Sequence, residues 1–225
     1  MSKAVAAPVT FTASARRLGI VSACSVVLLS ALYGPTLAAG LVSLSSPQQA
    51  IGDPWFGALE LLILLMAPPM VALAVAVHAW AGAESKVFGL VSLVFTGLLA
   101  GLTSGVHFVL LAVGRQAAFA GLEGAPLLLS FQWPSLAYAL DILAWDVFFA
   151  LAALFAAPVF GGSRLAHWIR GLLVASGVLA LAGLAGVVAG DMRLRNIGIV
   201  GYAVLYPVAV LLMARLFQRT PAQLP

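Results

Sequence analysis

Six stretches of the chain are long and apolar enough to cross a lipid bilayer, and this pattern limits the possible folds more than any other feature. A helix needs about 20 consecutive apolar residues to span the hydrocarbon core. Stretches of about this length lie at residues 18–42, 56–81, 86–113, 135–160, 168–190 and 197–214. With 63% hydrophobic and 8% charged residues, the chain has too little polar surface for a soluble globule. The sequence therefore predicts an all-α, polytopic membrane protein built as a bundle of six transmembrane helices.

The basic residues predict the orientation of the bundle, because loops on the cytoplasmic side carry an excess of lysine and arginine. With both ends inside, eight basic residues lie on the cytoplasmic side and three outside. The inner set is Lys3, Arg16, Arg17, Lys86, Arg164, Arg170, Arg215 and Arg219, and the outer set is Arg115, Arg193 and Arg195. We therefore expect a cytoplasmic N-terminal segment at 1–17, a transmembrane domain at 18–217 and a cytoplasmic tail at 218–225.

The first apolar stretch has a second interpretation as a secretory signal. Arg16 and Arg17 precede it, and it ends in the small residues 37–40. Cleavage there would leave five helices and place the two ends of the protein on opposite sides of the membrane. The apolar run is long and starts far from the N-terminus, so we expect the helix to be retained.

The charge pattern argues against nucleic acid as a partner. The formal net charge is +4, but the 11 lysines and arginines are spread thinly among apolar runs and form no basic patch. The expected partners are the lipid bilayer, a small ligand or cation, and another membrane protein or a second copy of this chain. The single cysteine, Cys24, excludes an internal disulfide.

Four ionisable side chains fall at similar depth in the outer half of the predicted bundle, namely Glu60, His107, Asp141 and Asp146. A charge at the centre of a bilayer costs about 2.5–3.5 kcal/mol on insertion scales, so such a layer needs a reason. We expect Asp146 and His107 to form a buried pair. Glu60 and Asp141 are expected to line the entrance of an outward-facing polar pocket among the second, third, fourth and sixth helices.

The two aspartates are expected to have different roles. They are five residues apart, about 140° around an α-helix, so the two carboxylates should not share a face. Tyr202 and Tyr206, from the sixth helix, would orient a ligand in the same half of the membrane. Arg195 could pair with a carboxylate of the layer, but the interpretation favoured by the sequence is a solvated loop charge.

The sequence contains no strong catalytic or cofactor signature. A transmembrane haem needs two histidines at matching depth, whereas His78 lies near the inner end of its helix and His107 in the outer half. A zinc hydrolase needs several histidines, and only His107 with carboxylates is available, which leaves the question of a metal open. Ser104 lies near His107 but lacks the glycine elbow of a serine nucleophile. We expect no cofactor, and a non-catalytic protein is favoured over an enzyme.

Small residues at spacings of four predict the helix contacts. Gly97, Gly101 and Gly105 form such a ridge on the third helix, which is therefore expected to be central, and Gly186 and Gly190 repeat the pattern on the fifth. A ridge of this kind lets a neighbouring backbone approach closely.

Two segments carry a resemblance to known sequences. Residues 139–149 read ALDILAWDVFF and residues 195–204 read RNIGIVGYAV. Both are similar to recurring elements of small, uncharacterised bacterial multi-pass membrane proteins. The resemblance implies a location in the bacterial inner membrane, and it implies no activity and no functional residue.

Taken together, these features predict an inner-membrane protein that binds or transports a small ligand, a cation or a proton through Glu60, His107, Asp141 and Asp146. The alternative is a non-catalytic accessory or scaffold subunit of a membrane complex, in which the same polar groups only hold helices together.

Overall fold

The computed structural model describes residues 11–46 and 49–220, and within them it contains six helices long and apolar enough to cross a membrane. These are α1 (Ala13–Val42), α2 (Trp55–Trp80), α3 (Lys86–Ala112), α4 (Leu136–Val159), α5 (Arg164–Ala189) and α6 (Met192–Arg219). The predicted all-α bundle of six membrane-spanning helices is confirmed. Residues 1–10, with Lys3, and residues 221–225 of the two predicted cytoplasmic segments lie outside the described residues.

Each helix packs against its neighbour in sequence, and α6 also packs against α1. One end of the bundle carries the connections 43–54 and 113–135 and is called the long-loop end here. The 113–135 connection contains two short helices, Ala117–Ala120 and Ala125–Leu128. The opposite end has the short connections 81–85 and 160–163 and is called the short-loop end.

The outer surface of the bundle is apolar along its length. Large exposed hydrophobic side chains occur on every spanning helix, among them Val21, Leu65, Phe108, Leu143 and Val188. On a soluble protein such a continuous apolar surface would cause association, whereas facing lipid tails it costs nothing. The protein therefore has the surface of a multi-pass membrane protein.

The centre of the bundle is α4, and the prediction that the third helix is central was wrong. In the most apolar 18-residue segment of α4, 61% is buried inside the bundle, whereas the corresponding share for α3 is 28%. The glycines 97, 101 and 105 are exposed, and a Cβ atom added at any of them would meet nothing within 4 Å. The reason is geometrical, because the buried face of α3, which carries Thr103 and His107, lies on the opposite side of the helix.

The close backbone contact occurs instead between α5 and α6. A Cβ atom at Gly186 would lie 2.5 Å from the backbone nitrogen of Arg195, and one at Gly201 would lie 2.5 Å from the carbonyl oxygen of Ser176. Gly186 thus lies where a neighbouring backbone approaches. Gly190 does not pack in this way, since it caps α5 with a φ of 68° and has nothing within 4 Å of an added Cβ.

The contact between α5 and α6 leads to a stability prediction. Gly201→Ala should lower the free energy of unfolding by about 1–3 kcal/mol, because the added methyl group collides with backbone that cannot rotate away. The control is Gly101→Ala on the exposed face of α3, which should be neutral or stabilising by up to about 1 kcal/mol through its helix propensity. Unfolding of both variants in mixed micelles against a denaturing detergent measures the difference. Equal stability of the two variants would contradict the contact.

Candidate functional site

Five ionisable side chains from four helices are joined in one buried row, which we call the ionic network: Glu60 of α2, His107 of α3, Asp141 and Asp146 of α4, and Arg195 of α6. Each of the five residues is at most 8% exposed. Buried charges in a membrane protein are tolerated when they pair with one another, and here each of them does.

His107 connects two carboxylates. Its Nδ1 lies 2.7 Å from Oε2 of Glu60, and its Nε2 lies 3.4 Å from Oδ1 of Asp141. The first distance is that of a strong, charge-assisted hydrogen bond, whereas the second is long for one. His107 is therefore held firmly on the α2 side and more loosely on the α4 side.

Arg195 connects the two aspartates of α4. Its Nε donates to Oδ2 of Asp146 over 3.0 Å, and its Nη2 lies 3.6 Å from Oδ2 of Asp141. Its Nη1 donates to the hydroxyl oxygen of Tyr138 over 3.1 Å, and the guanidinium carbon lies 4.9 Å from the centre of that ring. The guanidinium is thus surrounded by partners, which a buried arginine requires.

The backbone of α4 brings both aspartates to the same arginine. Residues Leu143–Phe148 form a π-helical segment inside α4, with hydrogen bonds from i to i+5 in place of i+4. The wider turn brings residues five apart closer to the same side of the helix. The expectation that Asp141 and Asp146 cannot share a face was therefore wrong, because it assumed a regular α-helix between them.

Arg195 is the member of the network that the sequence interpretation placed wrongly, as a solvated loop charge. It is 4% exposed and lies within α6, whose N-cap Asp191 accepts a hydrogen bond from the backbone nitrogen of Arg193 over 2.9 Å. The polar run 191–196 resembles a loop, but an aspartate N-cap followed by an apolar stretch also indicates the start of a helix. That cap was the signal that could have revealed the position of Arg195.

Asp146 is completely buried, and Gly198 of α6 makes room for it. A Cβ atom at Gly198 would lie 2.9 Å from Oδ1 of Asp146. This Oδ1 has no hydrogen-bond partner among the described residues, and neither do Oδ1 of Asp141 and Nε2 of His107. The network thus combines strong pairs with three buried polar atoms that lack a partner at hydrogen-bond distance.

Two further expectations need correction. The expected pair of Asp146 with His107 is not formed, since Asp146 binds Arg195 and His107 binds Glu60 and approaches Asp141. Glu60 and Asp141 do not line an open entrance, because they are only 2% and 8% exposed. The reason is the position of Arg195, which occupies the space beside α4 that depth alone had assigned to a pocket.

Of the two tyrosines predicted to orient a ligand, Tyr202 lies closer to the network. The centre of its ring lies 5.2 Å from that of Trp145, the residue next to Asp146, and 5.8 Å from that of Phe149. Tyr206 packs edge-on against Phe149 and lines a small cavity of about 30 Å³ with Ser92 and Thr96, large enough for about one water molecule. The tyrosine that contacts the network directly is Tyr138.

An open depression of about 520 Å³, which we call the vestibule, lies at the long-loop end. It is lined by Phe131, Gln132, Trp133, Tyr138, Gly190, Asp191, Met192 and Arg193. It is built by the connection between α3 and α4, the first turn of α4, the turn between α5 and α6, and the first residues of α6. Among the described residues, no group of three or more histidine, cysteine or carboxylate side chains has the geometry of a metal site.

No protein-family model, curated protein or solved structure matches this chain. The resemblance of residues 139–149 and 195–204 to small bacterial membrane proteins stays a prediction. What the ionic network does must follow from its own geometry.

The pairing of Arg195 predicts a large effect of neutralising it. Arg195→Gln removes the cation from between two buried aspartates and should lower the free energy of unfolding by about 3–5 kcal/mol. The matched control is Arg115→Gln at the exposed ion pair with Asp53, where about 0–1 kcal/mol is expected. Unfolding in mixed micelles compares them. A loss at Arg195 no larger than at Arg115 would mean that the guanidinium contributes little to holding α4 and α6 together.

Proposed function

We propose that this chain is a proton-handling membrane protein and that the ionic network is its proton-binding site. The observation that carries the proposal is the imbalance of charge within a buried row. Three carboxylates face one guanidinium and one imidazole. Even with the imidazole protonated, the ionised network would hold a net charge of −1.

A net charge buried at membrane depth is costly, about 2.5–3.5 kcal/mol on insertion scales. One additional proton on a carboxylate makes the network neutral and removes this cost. A proton is therefore the smallest partner that neutralises the network. We propose it in place of the broader expectation of a small ligand or cation.

The structure offers acceptors for this proton. Oδ1 of Asp141 has no hydrogen-bond partner and lies 3.4 Å from Nε2 of His107, whose proton already belongs to the charged imidazole. Oδ1 of Asp146, beyond the guanidinium, is a further free acceptor. The phenol of Tyr138 borders the network, where its oxygen accepts a hydrogen bond from Arg195.

The cellular setting belongs to the same proposal. The excess of basic residues at the short-loop end supports cytoplasmic termini, with the long-loop end on the outside. The resemblance of two segments to small bacterial multi-pass proteins supports the bacterial inner membrane. In that setting the proton site would lie in the outer half of the bilayer.

A second function is favoured by a different observation. The same five side chains tie α2, α3, α4 and α6 together, and four ion pairs connect them. A network of this kind also suits an accessory or scaffold subunit that needs a rigid bundle and handles no proton. Such a protein would bind another membrane protein or a second copy through its apolar exterior.

Infrared spectroscopy of the protein in lipid vesicles separates the two functions. At neutral pH exposed carboxylates are ionised, so a neutral carboxyl C=O band reports a buried, protonated group. We expect this band in the wild type, with an isotope shift in heavy water. Asp141→Asn should abolish the band, because the remaining two carboxylates are balanced by Arg195 and protonated His107.

The matched control is Glu84→Gln, which changes an exposed carboxylate in the connection 81–85 and should leave the band unchanged. A wild type without a neutral carboxyl band would contradict the proton site. A loss of thermal stability in Asp141→Asn would then support the structural role.

A further inference from the structure

We infer that Phe131 and Tyr138 form an aromatic lid that closes the ionic network toward the vestibule, so that protons reach the network from the long-loop end. This inference rests on the proposed function, because a lid matters to the protein only if the network exchanges protons. The proton site by itself does not specify from which end of the bundle protons enter, and the lid assigns that end.

Phe131 and Tyr138 define the lid, because each of them lines the vestibule and also contacts the ionic network. Phe131 lines the vestibule, and the centre of its ring lies 5.2 Å from the centre of the His107 imidazole. Tyr138 also lines the vestibule, and it covers the Arg195 guanidinium at 4.9 Å while accepting its hydrogen bond. One aromatic ring thus separates each cation of the network from the open depression.

The rings of Phe131 and Tyr138 also pack against each other. Their centroids are 6.1 Å apart and their planes are nearly perpendicular, at 87°. This edge-to-face arrangement is a favourable one for aromatic pairs. Trp133 also packs edge-on against Tyr138, with the ring centres 6.4 Å apart. Its described ring contact is with Tyr138 and not with a charged side chain.

The backbone around the lid is held by local hydrogen bonds. The Ser135 hydroxyl donates to the carbonyl of Ser130 and accepts from the backbone nitrogen of Tyr138, where it caps α4. Phe131 and Tyr138 are both partly exposed, whereas His107 and Arg195 are buried. Rotation of one ring would therefore admit water without moving a helix.

The short-loop end is packed with aromatic side chains. There Trp80 stacks on Phe160 at 5.4 Å and lies 6.5 Å from Phe217, which in turn lies 5.4 Å from Phe11. These aromatic side chains fill the end of the bundle with apolar contacts. Access from the long-loop end is the shorter and more polar route.

Thiol labelling beneath the lid tests the inference. In a Cys24→Ala background, Thr103→Cys places a reporter thiol one turn from His107, at a position that is 2% exposed. A small water-soluble methanethiosulfonate should label it slowly in the wild-type lid. Phe131→Ala should accelerate labelling by about tenfold or more, because the ring contacts that favour the closed state are lost.

Two controls give the result its meaning. Trp133→Ala removes an aromatic ring from the same vestibule without uncovering His107 or Arg195, so labelling should keep the wild-type rate. Tyr138→Phe removes the hydroxyl but keeps the ring, and should also label slowly. If Phe131→Ala is poorly folded, Phe131→Leu should show a smaller acceleration at an unchanged thermal transition.

Equal labelling rates in Phe131→Ala and Trp133→Ala would overturn the lid. So would faster labelling of the wild type from the short-loop side of sealed vesicles. The labelling rate does not depend on proton binding, so the two proposals can fail separately. A neutral carboxyl band together with an unchanged labelling rate in Phe131→Ala would support the proton site and reject the lid. Faster labelling of Phe131→Ala without a neutral carboxyl band would reject the proton site and leave the two rings as a barrier to water only.

Discussion

The arrangement of the bundle depends on one guanidinium, that of Arg195, placed between Asp141 and Asp146. Desolvating an arginine is so costly that the fold must supply partners on every side. The aspartates, Tyr138 and the close approach of α5 and α6 all serve this requirement. Arg195 ties α4 to α6 through Asp141 and Asp146, and His107 connects the row to α2.

Two π-helical segments and two glycines allow Arg195 and the aspartates to lie close together. The π segment of α4 turns Asp146 toward the same arginine as Asp141. A second π segment, Gly201–Leu205, lies in α6 just before Pro207, whose missing N–H cannot complete a regular turn. Gly186 and Gly198 let the α6 backbone and the Asp146 carboxylate occupy space that a methyl group would fill. Departures from ideal helix geometry thus coincide with the candidate site, as π segments often do.

The sequence predicted that these polar side chains lie at one level of the bundle, but it did not predict how they pair. Glu60, His107, Asp141 and Asp146 are buried and belong to one ionic network. The partners of these side chains were predicted wrongly, because the direction of each side chain was derived from a regular α-helical step of 100° per residue. Arg195 was missed because hydropathy placed the start of the last helix five residues too late, at 197 instead of Met192. The exposed ridge Gly97, Gly101 and Gly105 was similarly assigned a contact that belongs to α5 and α6.

By itself, the sequence determined the number of membrane-spanning helices, their approximate ends and the asymmetry of the loops, since these depend on apolar length, which is a local property. Only the tertiary structure decided which helix is central, which carboxylate binds which cation and which aromatic rings cover them. These features depend on how the helices are arranged in the bundle and on the rotation of each helix about its axis. Neither is encoded in depth, because side chains at equal depth can face each other or the lipid.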